Sequence, residues 1–273
     1  GRFAPGLPAK GDGQLLFMLN GLAKLKDDGQ MAIIQNGSSL FTGDAGSGYS
    51  EIRRYVIEND WLDAIVQLPT DSFYNTPIST YIWILTKNKS QLKKGKVCLL
   101  DASECKSQRR KNIGSKRFDI TKACRDLIIE AYGVYVDGTY NGVDENDNAI
   151  VVKSKVMDAI DLGYNKIVVE TPQLDEDGNV VMKKKKPVAD TSKRDTENVP
   201  LAEDIDAYFE REVIPYNPQA WIDKAKTKVG YEIPFTRTFY EYKQIEPSDV
   251  IAARIEEHEK SLMAKLHDLF GGE

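Results

Sequence analysis

Two short apolar runs, Asp63-Ala-Ile-Val-Gln-Leu68 and Thr80-Tyr-Ile-Trp-Ile-Leu85, flank a polar loop and constrain the fold more than any other stretch of the chain. Both are rich in β-branched or aromatic side chains, and they are bounded by Pro69 and by Lys87-Asn88-Lys89. Runs of this length and make-up read as buried strands, not helices. The loop between them sets Phe73 and Tyr74 side by side among turn-forming residues. Such aromatics either cap a sheet core or stack on a ligand, and Tyr often keeps its ring inside and its hydroxyl in water.

The preceding sequence supplies the other parts of an α/β sheet. Leu15, Leu16, Leu19, Leu22, Ala23 and Leu25 fall at helical spacing within Gly13 to Lys26, and Asp27-Asp28-Gly29 ends that helix. Met31-Ala-Ile-Ile34 reads as a strand, and Gln35 to Gly48 as a loop rich in glycine and serine. Tyr49 to Asn59 reads as an amphipathic helix with Ile52, Tyr55 and Val56 on one face. Strand, helix and strand in succession predict an α/β sheet, whose ligand contacts leave the carboxyl ends of strands. A hairpin closes at Thr80, and Lys96-Val-Cys-Leu-Leu-Asp101 predicts a further strand.

These elements and their residues resemble the carboxy-terminal part of the modification (M) subunit of type I restriction-modification systems. That family consists of S-adenosylmethionine-dependent adenine-N6 DNA methyltransferases. The resemblance runs over nearly the whole chain: Gly1-Arg-Phe-Ala-Pro-Gly-Leu-Pro-Ala-Lys10, Asp27-Asp-Gly29, Asn36-Gly37 after the strand, Leu68-Pro69 with Phe73-Tyr74, and Val229-Gly-Tyr-Glu-Ile-Pro-Phe235. It implies the second half of a class I, Rossmann-like methyltransferase sheet ending in a β-hairpin, with a C-terminal α+β and helical region. It also implies that Phe73 stacks on the flipped adenine with Tyr74 beside it. The implied partners are DNA, a specificity (S) subunit, a second M subunit and a restriction (R) subunit.

The family's cofactor loop, Asp-Pro-x-x-Gly-x-Gly or similar, and its Asn-Pro-Pro-aromatic motif are both absent; Asn75-Thr-Pro-Ile78 has one proline and belongs to the aromatic loop. The missing motif would hydrogen-bond the target amine and orient its lone pair. No catalytic residue is therefore expected in this chain, and no bound S-adenosylmethionine, although the full-length parent would use that cofactor. The missing initiator Met and a start within a loop lead us to expect a piece of a longer protein. The alternative reading is a non-catalytic scaffold or binding module of a nucleic-acid-modifying assembly.

Composition narrows the remaining chemistry. The formal charge of −5 argues against generalised DNA wrapping, so any DNA contact must be local or shared with a partner. No run approaches the roughly 20 apolar residues of a membrane span. Cys98, Cys105 and Cys124 lack C-x-x-C spacing, which suggests neither a disulfide framework nor a zinc site and suits a reducing cytoplasm. The chain's two histidines, His258 and His267, would lie about 180° apart on one helix, which excludes a shared metal site there. Gly43 to Gly48 lacks the Gly-Lys-Ser/Thr of a phosphate-binding loop.

Six basic residues crowd Lys106 to Arg117 ahead of a helix at Ile120 to Tyr132; the run reads as a solvated connector or as a phosphate-contacting arm, with Arg109, Arg110 and Lys111 as the candidates. A second run, Lys183 to Lys186, follows the Asp177-Gly178 turn, and cross-strand pairing with acidic residues is expected to neutralise it. The predicted organisation is a methyltransferase half-domain over 1–103, a basic connector and helix over 104–132, a β-rich appendage and linker over 133–199, and a helical assembly region over 200–273. In the last, Pro247 opens a helix to Phe270 whose stripe of Ile251, Ile255, Leu262, Leu266 and Leu269 can pack on its own domain or on a partner's helices; the resemblance to type I M subunits implies the partner, the S subunit.

Overall fold

A computed structural model describes residues 1–242 and 246–270, apart from the side chain at 268. Residues 1–239 form one unit and residues from Tyr240 onward another.

The first unit is built on a six-stranded mixed sheet. Helix α1 (Gln14–Leu22) leads into β1 (Gln30–Asn36), followed by the one-turn helix α2 (Ser38–Phe41) and by α3 (Gly48–Glu58). Next come β2 (Leu62–Gln67), β3 (Thr80–Thr86) and β4 (Lys96–Asp101). Strand β3 lies between β1 and β2 and is antiparallel to both, so β1 and β2 run parallel to each other; β4 adds parallel to β2. The α/β sheet and its hairpin are therefore present, with the hairpin inside the sheet. Beyond β4 come β8 (Ala149–Asp158) and then β7 (Gly138–Val143), both in antiparallel pairings.

Side-chain alternation gives the sheet two cores. Ile65, Tyr81, Trp83, Leu85 and Leu99 face α1 and α3, while Ala64, Val66, Cys98, Leu100, Ile150 and Val152 face α4 (Lys122–Val134). Strands β2 and β4 are buried on both faces, which is why they read as continuous apolar runs. Each fully buried Leu or Ile side chain contributes about 1.5–3 kcal/mol before entropy is counted. Trp83 is fully buried, and its indole N–H donates to Ser39 Oγ at 3.2 Å, so the largest ring of this core leaves no donor stranded.

The predicted connector at 104–119 is a β-hairpin, β5 (Ser107–Ile113) and β6 (Lys116–Asp119), turning at Gly114. Residues 138–158 belong to the main sheet and not to an appendage, because β8 pairs along the whole length of β4. A second sheet is centred on β9 (Gly163–Glu170), with β12 (Asp195–Pro200), β13 (Trp221–Ile222) and β14 (Lys228–Tyr231) against it. The linker predicted at the end of 133–199 thus holds most of a strand, since its backbone finds partners along β9. Between β9 and β12 rise the short strands β10 (Met182–Lys183) and β11 (Lys186–Pro187). Helix α5 (Ile205–Glu212) starts where the Asp204 carboxylate caps the Ala207 N–H at 2.9 Å. Its Phe209 packs with Ile167, Val169 and Val199. The one-turn helix α6 (Phe235–Thr238) follows.

Arg53 ties the two sheets together. It is fully buried on α3 and donates Nε to the Tyr231 carbonyl at 2.6 Å, one Nη to the carbonyls of Ser39 and Thr42, and the other to that of Gly43. Burial pushes its guanidinium down to about 10. At the start of α3 the N-terminal segment crosses so closely that a Cβ on Gly48 would sit 1.9 Å from the Leu7 carbonyl oxygen, which demands glycine.

The second unit contains α7 (Ser248–Phe270), with Asp249 in its first turn. Ile251, Ile255, Leu262 and Leu266 lie on it as predicted and are exposed. Among the described residues no helix is long and apolar enough to cross a membrane.

Candidate nucleic-acid interface

Because β1, β2 and β4 are mutually parallel, the segments that follow them emerge at one edge of the sheet. After β1, the Gln14 side chain accepts from the Asn36 N–H at 3.0 Å and donates to Ser38 Oγ at 3.1 Å, while Asn36 Oδ1 accepts from both the N–H and the hydroxyl of Ser38. These three side chains are bonded to one another, whereas the buried Gln35 Oε1 beside them has no hydrogen-bond partner among the described residues.

After β2 comes the aromatic loop. The Leu68 N–H donates to the Thr80 carbonyl at 2.8 Å and closes its base, and Asp71 takes a left-handed conformation within it. Phe73 is half-buried and lines an apolar cavity of about 450 Å³ with Ile34, Val66, Ile82, Ile84 and Ile128. Tyr74 is 57% exposed, so the two aromatics have different surroundings.

After β4 comes the basic hairpin, and it is clamped to the aromatic loop. Ser115 donates its N–H to the Tyr74 carbonyl at 2.9 Å, and Arg117 and Phe118 donate theirs to the Asp71 carbonyl at 2.8 and 3.3 Å. Lys116 Nζ lies 5.3 Å from the centroid of the Tyr74 ring, within cation–π range. At its base, Ser107 donates its hydroxyl to Asp144 at 2.7 Å, and Asp144 also accepts from the N–H groups of Asn146 and Asn148. These hydrogen bonds, led by that of Ser107, hold the Asp144 carboxyl far below the usual carboxylate range.

The three predicted phosphate contacts divide. Arg109 is ion-paired with Asp119, which also takes Lys116 at 2.9 Å, and the Arg109 hydrogen bond holds the Asp119 carboxyl below its ordinary value. Arg110 and Lys111 are exposed and make no ion pair among the described residues. Arg117 shares their situation and was not singled out from sequence; its signal was membership of the same basic run. The hairpin thus offers Arg110, Lys111 and Arg117 next to an exposed aromatic ring. Both histidines lie on α7, outside this unit, and among the described residues no group of His, Cys, Asp and Glu is arranged to hold a metal ion.

A family model, N-6 DNA Methylase, matches residues 1–169, more than half of the chain. The chain belongs to the N-6 DNA methylase family. This N-6 DNA methylase chain is 32% identical over 103 residues to the type I restriction enzyme HindI methylase subunit of Haemophilus influenzae, covering 38% of this chain and 22% of that protein. To the MjaIX methylase subunit of Methanocaldococcus jannaschii it is 30% identical over 109 residues, 39% of this chain and 19% of that protein. These matches span about a fifth of the relatives' length. Among solved structures, the type I restriction-modification methyltransferase subunit from Streptococcus thermophilus aligns with a TM-score of 0.47 at 27% identity, over 59% of this chain and 30% of that one.

N-6 DNA methylases use S-adenosylmethionine, which carries a sulfonium cation and a ribose that needs hydrogen-bonding partners. In this chain Gln14, Asn36 and Ser38 are engaged with one another after β1, and the cavity beside Phe73 is lined almost wholly by apolar groups. The lining of that cavity does not fit the cofactor's sulfonium and ribose.

Proposed function

We propose that this chain is the target-base and DNA-backbone portion of a site-specific adenine-N6 DNA methyltransferase, the M subunit of a type I restriction-modification complex. The observation that carries the reading is the clamp between the aromatic loop and the basic hairpin at one sheet edge of an N-6 DNA methylase. Extruding a base from duplex DNA costs a few kcal/mol of unstacking. An aromatic face returns about 1–3 kcal/mol of that. Phe73 and Tyr74 take this role, Phe73 from the mouth of the apolar cavity and Tyr74 from solvent. Arg110 and Lys111 meet phosphates beside the extruded base and fix the strand without reading sequence.

S-adenosylmethionine and the groups that orient the target amine are held by residues outside this chain, and the chain by itself is inactive. The exposed stripe of α7, Ile251, Ile255, Leu262 and Leu266, meets the helices of the S subunit, and a second M subunit and an R subunit complete the assembly. The test uses the full-length subunit with its S subunit. Phe73→Ala and Tyr74→Ala, made separately, are expected to lower methylation about 5- to 150-fold, the kinetic equivalent of 1–3 kcal/mol, while leaving cofactor affinity unchanged. Wild-type methylation rates in both variants would overturn the stacking role.

A further inference from the structure

The excursion between β9 and β12, residues 171–190, carries four consecutive lysines, Lys183 to Lys186, all exposed and without an ion pair among the described residues. The expected cross-strand neutralisation does not form. The acidic residues of the excursion make their own turn instead: the Asp175 carboxylate accepts the N–H groups of Asp177 and Asn179 at 3.0 and 2.8 Å.

The lysine turn works against its own stability. Lys183 and Lys186 are directly opposed in the β10–β11 pair, where like charges repel. Lys184 and Lys185 form the two-residue turn with φ of 51° and 65°, a left-handed pair that suits Asn-Gly and strains lysine. A polyanion is the partner that would offset the charge repulsion.

The strand leading to this turn, β9, heads toward the same end of the sheet as the clamp. Lys228 pairs with Lys166 and Tyr231 with Gly163, so β14 and β9 run side by side in opposite directions. Tyr231 is bonded to Ser50 and Arg53, further along α3, whereas Lys166 reaches Asp44 at 2.7 Å, in the segment between β1 and the start of α3. Strand β9 therefore climbs toward the sheet edge from which the aromatic loop and the basic hairpin emerge, and its last four residues carry it about 13 Å further at strand rise. The excursion closes on itself at its base, with the Asp190 N–H on the Thr171 carbonyl and that of Gln173 on the Val188 carbonyl, each at 2.8 Å.

We propose that Lys183 to Lys186 are a second, sequence-independent phosphate contact for the DNA, separate from the aromatic loop. This rests on the reading that DNA is the substrate. The test measures binding of the full chain to a fluorescein-labelled duplex several helical turns long, by anisotropy across a potassium chloride titration. Changing all four lysines to Gln is expected to weaken binding and to lower the slope of log K against log salt by about 3 to 4, at about 0.9 per phosphate contact. The variant K184N/K185G gives the turn the residues its backbone favours, so the fold is kept while two charges go; its slope should fall by about 2. Wild-type affinity and slope in both variants would overturn the proposal, as would an unmodified chain with no salt-dependent binding. Competition by polyglutamate that is abolished by the four Gln changes, with duplex binding intact, would assign the lysines to an acidic protein surface and overturn it equally. Methylation by the full-length complex is a separate readout, so a lost slope together with absent methylation would retain the phosphate contact and sink the methyltransferase reading.

Discussion

Lys116 stands over Tyr74, its ammonium 5.3 Å from the ring centroid, while the next residue back, Ser115, hydrogen-bonds the Tyr74 carbonyl. The basic hairpin and the aromatic loop, which the sequence separates by two strands, β3 and β4, are thereby one structural piece. A change in the hairpin turn should be felt at the aromatic ring.

Gly114 makes that turn with φ of 58°, and a Cβ there would lie 2.5 Å from the Tyr74 carbonyl oxygen. Gly114→Val is expected to cost about 1–2 kcal/mol for the left-handed backbone alone. Undocking of the hairpin adds to this. Hydrogen exchange should show lost protection at the Ser115 and Arg117 amides, and retained protection would mean that the clamp tolerates the side chain.

Replacing Arg53 tests the tie between the sheets. Arg53→Met strands the carbonyls of Tyr231, Ser39, Thr42 and Gly43. Hydrogen bonds from a charged donor are worth about 1.5–3 kcal/mol each, so a loss of at least about 3 kcal/mol is expected. For a unit of this size that lowers Tm by about 6–12 °C. Arg53→Lys should recover little, because an ammonium cannot span the same acceptors. Calorimetric scans of both variants decide the matter, and a Met variant within a degree of wild type would refute it.

The Ser107–Asp144 bond sets a pH dependence. Asp144 has a folded pKa below its unfolded value, so its contribution to stability is complete above the ordinary carboxylate range, about 3.9, and is lost as pH falls through the lower folded value. Ser107→Ala removes the largest cause of that depression. The stability gap between wild type and variant, measured by urea unfolding, is expected to be widest near neutral pH and to shrink in acid. A gap independent of pH would show that the serine acts by packing and not through the carboxylate.

On α7, Ile255→Asp with Leu262→Asp places two charges on the exposed stripe. If the stripe is desolvated against the S subunit, this costs several kcal/mol of association. The full-length M subunit should keep its thermal transition and fail to co-purify with S. Loss of the transition itself would assign the stripe to the subunit's own core.

Elements whose signal is local were legible in the residues alone. The runs at 63–68 and 80–85, the helix over 248–270 and the aromatic pair at 73–74 were legible because strand and helix periodicity and turn chemistry act within a few residues. Features that depend on partners remote in the chain became visible only in the folded molecule. Residues 138–158 join the central sheet, and part of the supposed linker becomes β12, because backbone groups in both find a neighbouring strand. Arg109 and Arg110 are adjacent and equally basic, yet the fold gives one of them Asp119 and leaves the other to solvent. Arg53 and Tyr231, 178 residues apart, meet only when both sheets are in place. Charge pairing and strand register are set by distance in space, which local sequence patterns do not encode.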